Sequence, residues 1–253
     1  MKNLDIFIIA TGKLWSRLEK LIQCDEFRGE NFCIISEENT RNMTNYRFSK
    51  ITEELWRDNV ELIRDSLIDN LFRIQGGNIH VKNKVVTTLD FAKPRPLAKG
   101  EISVLSKHQN ALERFLCGNS DYVLILEDDA IIEKGAFKIL KDLVNNTSFD
   151  YYDIAGGDGI TCKEENLVHM NGIEGEINIL QATRTACAYI ASRTTALAIV
   201  DELQRIIMPI DWSISVALKK TEQKQQVFWL NKHIITHGSC TGQITSWRSS
   251  QWN

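Results

Sequence analysis

The run Tyr122-Val-Leu-Ile-Leu126, passing directly into Glu127-Asp128-Asp129, constrains this chain more than any other stretch. Consecutive apolar, β-favouring side chains suit a strand that is covered on both faces. Open α/β sheets bind ligands at the carboxyl ends of their strands, which is where the three acids fall. Adjacent carboxylates repel one another unless a cation, basic side chains or water offsets the charge. Side chains alternate along a strand, so Glu127 and Asp129 are expected on one face and Asp128 on the other. An acid pair on one face suits a hard divalent ion that also grips phosphate oxygens. The competing reading is that Asp128 or Asp129 caps a helix beginning near Ile131, which accounts for one or two of the acids but hardly for all three.

The flanking pattern repeats the theme. Residues 4–10 read as a buried strand, Leu14, Leu18, Leu21 and Ile22 fall at helical spacing, and Asn31–Ser36 reads as a second strand. Strand, helix and strand at this spacing make one unit of a parallel sheet. Residues 52–73 carry the period of one long amphipathic helix, and Gly100–Leu116 and Gly135–Val144 carry shorter ones. Residues 80–98, with Pro94 and Pro96, predict a short strand and a fixed loop, and residues 160–178 a polar loop or hairpin over the site. Strands are expected at Tyr151–Ala155, Ala186–Ala191 and Gln226–Leu230, with helices over Thr194–Ile206 and from Pro209 to Leu218. His233–Asn253 is a tail without clear periodicity. No repeat or linker marks a boundary, so one α/β domain with a mostly parallel central sheet flanked by helices is expected of the 253 residues.

Composition narrows the function. A net charge of −3 with no concentrated basic stripe argues against a nucleic-acid partner. The six cysteines show no CxxC and no zinc-ligand spacing, which suits reduced thiols in a cytosolic protein. Residues 4–10 are too short and too poorly flanked for a signal peptide, and no apolar run approaches the ~20 residues that span a bilayer. The expected location is cytoplasmic, with at most peripheral contact on the inner face of the plasma membrane.

Four strand-end turns can wall one cleft: Ala10–Lys13, Glu127–Asp129, Gly156–Gly159 and Thr236–Ser239. Thr11 and Gly12 stand where a backbone approaches a nucleotide, and Arg17 can stack on a base or meet phosphate. Arg17 is equally well read as a surface arginine of an amphipathic helix. Asp158, among three glycines, can accept sugar hydroxyls, although an ordinary tight turn explains the glycines nearly as well. His237 can complete a metal site opened by carboxylates. Asp211, just after Pro209, is either a first-turn acid of a helix or a catalytic one. Ser246-Trp247-Arg248 can order over a bound ligand. There is no G-x-S-x-G elbow and no dinucleotide fingerprint.

Lys99-Gly-Glu-Ile-Ser-Val-Leu-Ser-Lys-His108, followed by Val123-Leu-Ile-Leu-Glu-Asp-Asp129, resembles glycosyltransferase family 25, the lipopolysaccharide and lipooligosaccharide transferases with relatives acting on collagen. Gly100, Glu101, Ile102 and His108 match the family's helix motif, while Ser103, Val104 and Lys107 depart from it. Thr185–Arg193 and Met208–Asp211 are similar to further family elements. The resemblance implies a GT-A-like fold over residues 1–253, with 1–130 as the nucleotide-binding half and 131–253 as the acceptor half and C-terminal tail. It further implies UDP-galactose as donor and a divalent metal, manganese or alternatively magnesium. On that basis Asp129 and His237 hold the metal. Glu127 or Asp128 contacts ribose or metal-bound water, joining Thr11, Gly12, Arg17 and Arg248, which their positions already set toward the nucleotide, and Glu101 and His108 position substrate or brace the acidic strand. An inverting transfer also needs a base, for which Asp211 stands first and Asp158 second. The partners implied are a nucleotide-sugar donor and an oligosaccharide or glycolipid acceptor. The competing functions are a metal-free transferase using a CMP-linked or other nucleotide-sugar donor, a metal-dependent phosphohydrolase, and an inactive glycan-binding protein.

Overall fold

The computed structural model describes residues 2–11, 15–37, 46–75, 92–156, 160–170, 172–221, 226–232 and 234–244. Strand β1 (Leu4–Ile9), helix α1 (Trp15–Ile22) and strand β2 (Cys33–Ile35) form the expected opening unit. β1 pairs in parallel with both β2 and the acidic strand β3 (Tyr122–Glu127), which is buried from Tyr122 to Leu126. The Leu-Ile-rich run thus lies where its composition demands, with a strand on either side and helices on both faces.

Among the described residues the central sheet has eight strands in the order β2-β1-β3-β9-β5-β10-β8-β7, where β5 is Tyr151–Asp153, β7 Leu167–Met170, β8 Ile173–Ile177, β9 Ala188–Ser192 and β10 Val227–Leu230. The architecture is α/β and consistent with the GT-A-like arrangement, but the sheet is mixed. Only β1–β2, β1–β3 and β5–β10 are parallel; β3–β9, β5–β9, β8–β10 and β7–β8 run antiparallel. The sheet is thus mixed and not mostly parallel, with a parallel block at β2-β1-β3 and one further parallel pair, β5–β10. The reversal at β9 matters for function: Leu126 pairs with Ala188, so β9 begins where β3 ends. Within the expected loop or hairpin at 160–178, β7 and β8 pair antiparallel at the edge of the sheet beyond β10, and not over the site, because β8 joins the sheet through β10.

One face of the sheet is covered by α2 (Lys50–Leu62), α4 (Lys99–Cys117), α6 (Arg193–Leu203) and α7 (Ile210–Lys220), through Trp56, Leu105, Leu112, Ile199, Leu203 and Ile214. The other face is covered by α1 and α5 (Ala136–Asn146), through Leu18, Leu21, Phe137 and Leu140. The expected helix over 52–73 is two, α2 and α3 (Arg64–Gln75), interrupted at Ile63. Ile63 is fully buried, so the break lies where the helix pair anchors in the core. No described helix is long and apolar enough to cross a membrane.

A three-stranded sheet of β4 (Ala130–Ile132), β11 (Ile235–His237) and β6 (Ala155–Gly156) closes one end. It changes two expectations. The residues after Asp129 form a strand and not a helix start, so neither Asp128 nor Asp129 is a helix N-cap; α5 begins only at Ala136, behind Gly135 at φ 85°. The C-terminal tail contains β11, which pairs His237 with Ala130.

Candidate active site

The acidic turn opens into a cleft of about 940 Å³ lined by Thr11, Arg17, Glu127, Asp128, Asp129, Glu101, Asp211 and His237. Seven elements or their ends meet there: β1, α1, β3, α4, the approach to β9, α7 and β11. Three of the four expected turns converge. The fourth is followed only to Gly156, which pairs with Thr236. Gly12, Asp158 and Arg248 lie outside the described residues.

Strand alternation stops at Glu127, because Asp128 and Asp129 occupy a turn. The expected pairing of Glu127 with Asp129 on one face is therefore replaced by three separate sets of partners. Glu127 Oε1 lies 3.1 Å from His108 Nε2, whose Nδ1 lies 3.1 Å from the Tyr189 hydroxyl. His108 is completely buried, so it braces the acidic strand from beneath.

Asp128 accepts the Thr11 backbone N–H at 2.6 Å and faces the Arg17 guanidinium at 3.3 Å. Burial pushes its carboxyl above the usual range, the Thr11 N–H and Arg17 oppose that, and the neighbouring acids add to it. The two residues expected to serve a nucleotide thus hold the middle acid.

Asp129 accepts the Ser239 hydroxyl at 2.6 Å on the oxygen that lies 3.3 Å from His237 Nε2. Burial alone would raise this carboxyl, but the imidazole and the Ser239 hydroxyl outweigh it and hold it below its ordinary value. His237 goes the other way: burial works against its charge, yet Asp129 and Cys240 raise it to about 11. Its Nδ1 lies 2.9 Å from Cys240 Sγ and 3.4 Å from Thr185 Oγ1, which turns Nε2 toward Asp129. Gly238 permits the approach. Its N–H donates to the Asp129 carbonyl at 2.9 Å, and a Cβ there would lie 2.7 Å from that oxygen. The donor set fits a divalent cation: a carboxylate oxygen and an imidazole nitrogen, deep in a polar cleft, joined through a proton that a cation can replace.

Glu101 lies at the rim. It reaches back to the Ala98 N–H at 2.8 Å, half of a capping box, and grips Arg95 through two bonds of 2.7 Å. Asp211 is in the first turn of α7. The N-termini of α4 and α7 both border the cleft, and the partial positive charge of a helix start favours anions.

A model of glycosyltransferase family 25 (LPS biosynthesis protein) matches residues 74–214, more than half of the chain. The chain belongs to glycosyltransferase family 25. Membership supports a glycosyltransferase role and implies a sugar donor and a glycan acceptor. A comparison with curated proteins returned no match. The family match covers α4, the acidic strand, β9 and Asp211, and it stops short of His237.

Arg95, Arg184 and Cys240 also line the cleft and were not named from the sequence as site residues, while Ser239 entered only as the end of a cleft-walling turn and Thr185 only as the start of a family-like segment. Arg184 and Thr185 are held by Asp153, a fully buried acid at the end of β5. Its Oδ2 accepts the Arg184 N–H at 2.6 Å, the Thr183 hydroxyl at 2.8 Å and the Thr185 N–H at 3.3 Å. Its Oδ1 meets the Arg184 guanidinium at 3.1 Å. An aspartate in so apolar a strand was the available signal for a buried ion pair.

Proposed function

We propose that this family member transfers a hexose, galactose from UDP-galactose, with inversion onto a lipopolysaccharide, lipooligosaccharide or capsule-type glycan, with manganese or magnesium at Asp129 and His237. The observation that carries this reading is the Asp129–His237 pair, two metal-compatible donors drawn from distant parts of the chain into the floor of one cleft. When bound, the divalent ion would supply positive charge to the departing diphosphate.

The chain's own groups would do the rest. Asp129 and His237 hold the cation, and Ser239 and Cys240 fix their orientation. The Thr11 N–H and Arg17 keep Asp128 in place at the nucleotide side. The α4 and α7 N-termini favour the anionic donor. Asp211, bordering the same cleft, takes the proton of the acceptor hydroxyl as the hydroxyl oxygen attacks the anomeric carbon. Glu101 keeps Arg95 at the rim, where a guanidinium suits phosphate or sugar carboxylate.

Transfer from UDP-galactose, followed as UDP release with a glycan acceptor, tests the reading. EDTA should abolish it and manganese restore it, and Asp129→Ala should lower it by roughly 100-fold or more with the fold intact. Full activity in EDTA would point to a metal-free donor, and phosphate release from simple esters without acceptor would point to a phosphohydrolase.

A further inference from the structure

We infer that Asp129, Cys187 and His237 form a seat for a thiophilic divalent ion, zinc first among them, and that zinc there displaces the hard ion used for transfer. The binding claim rests on the donor cluster alone; the displacement rests on the function proposed above.

The three residues come from the turn after β3, the start of β9 and the end of β11. A carboxylate oxygen, a thiol sulfur and an imidazole nitrogen lie within 4.8 Å of one another. Cys187 Sγ is 3.8 Å from Asp129 Oδ1, and His237 Nε2 is 3.3 Å from Asp129 Oδ2. Zinc bonds sulfur at ~2.3 Å and nitrogen or oxygen at ~2.0–2.2 Å, so tetrahedral donors stand roughly 3.3–3.7 Å apart. The two spacings to Asp129, each to a different carboxylate oxygen, already lie close to these values, and separations within the cluster of up to 4.8 Å close by about an ångström when the side chains turn toward one ion. The cleft supplies the open fourth position.

Donor type decides the metal. Manganese and magnesium prefer oxygen and gain little from sulfur, whereas zinc binds sulfur, nitrogen and oxygen together. Cys187 has no exposed surface, yet its sulfur is directed at a carboxylate at the cleft floor. On binding, the Cys187 thiol proton and the proton between His237 and Asp129 leave to solvent as metal–sulfur and metal–nitrogen bonds form. No oxidation state changes.

Cobalt is the spectroscopic probe, titrated into the full-length chain. The expected result is a thiolate-to-cobalt charge-transfer band that saturates at one ion per chain and is removed by zinc. The band should vanish in Cys187→Ser and Cys187→Ala and persist in Cys117→Ala, whose exposed thiol does not line the cleft, with circular dichroism reporting the fold of each. Zinc affinity should fall at least roughly tenfold in the Cys187 variants, while manganese affinity changes much less. No band in the wild type, a band unchanged in both Cys187 variants, or one lost in Cys117→Ala alone would overturn the inference. Manganese-supported transfer without a band would sink zinc binding and leave the proposed function standing. A Cys187-dependent band in a protein that transfers nothing would do the reverse.

Discussion

At the residue scale, the proton shared by Asp129 and His237 links the site to pH. His237 binds its proton more tightly folded than unfolded, with a value of about 11 against an ordinary 6.5. Its contribution to stability is therefore complete below pH 6.5 and is lost as pH rises through about 11. Asp129 is held below its ordinary 3.8, so its contribution is present above that pH and is lost as pH falls beneath it. A cation at this pair must expel the His237 proton. Manganese affinity, measured by titration calorimetry, should accordingly rise roughly tenfold per pH unit across the neutral range, with about one proton released per ion. An affinity flat with pH would contradict the shared-proton picture. Asp211 offers a separate test. Asp211→Asn should lower turnover by roughly 100-fold or more with little change in donor KM. Equal loss in both would make Asp211 a first-turn acid of α7 and nothing more.

At the element scale, the cleft depends on how β9 and the segment before it are held. Thr183, Arg184 and Thr185 hang on the buried Asp153 carboxylate, and Thr185 in turn touches His237. Removing one partner of a buried ion pair leaves the other charge uncompensated. Asp153→Ala should cost about 3–5 kcal/mol in urea unfolding. It should also weaken manganese binding, although Asp153 touches no cation donor; an unchanged melting curve would show the network to be dispensable. The same elements mark what the sequence could disclose. α4 to α7 were legible because their apolar residues recur at helical spacing, and β3 because its apolar run is unbroken. β4 and β11 were not, since three-residue strands such as Ile235–His237 carry no period to read. The break at Ile63 was hidden because the apolar pattern continues across it.

At the scale of the whole molecule, Asp129 and His237 were paired through the family resemblance, while nothing in the local sequence shows how they meet. Residue type suggested each as a ligand, whereas their adjacency depends on β11 returning beside β4, a long-range pairing that leaves no local trace. Cys187 escaped notice for the same reason: its neighbours are set by β9 running antiparallel to β3, against the parallel expectation. The eight-stranded sheet thus turns separate residues into one cleft, and the family match supplies the class of reaction. The most direct test of that cleft is calorimetric titration of UDP-galactose into wild-type protein and Asp129→Ala, each with and without manganese. Binding should appear in the wild type only with manganese and should be absent from a folded Asp129→Ala variant. Equal binding in all four titrations would contradict a cation held by Asp129 against the donor diphosphate.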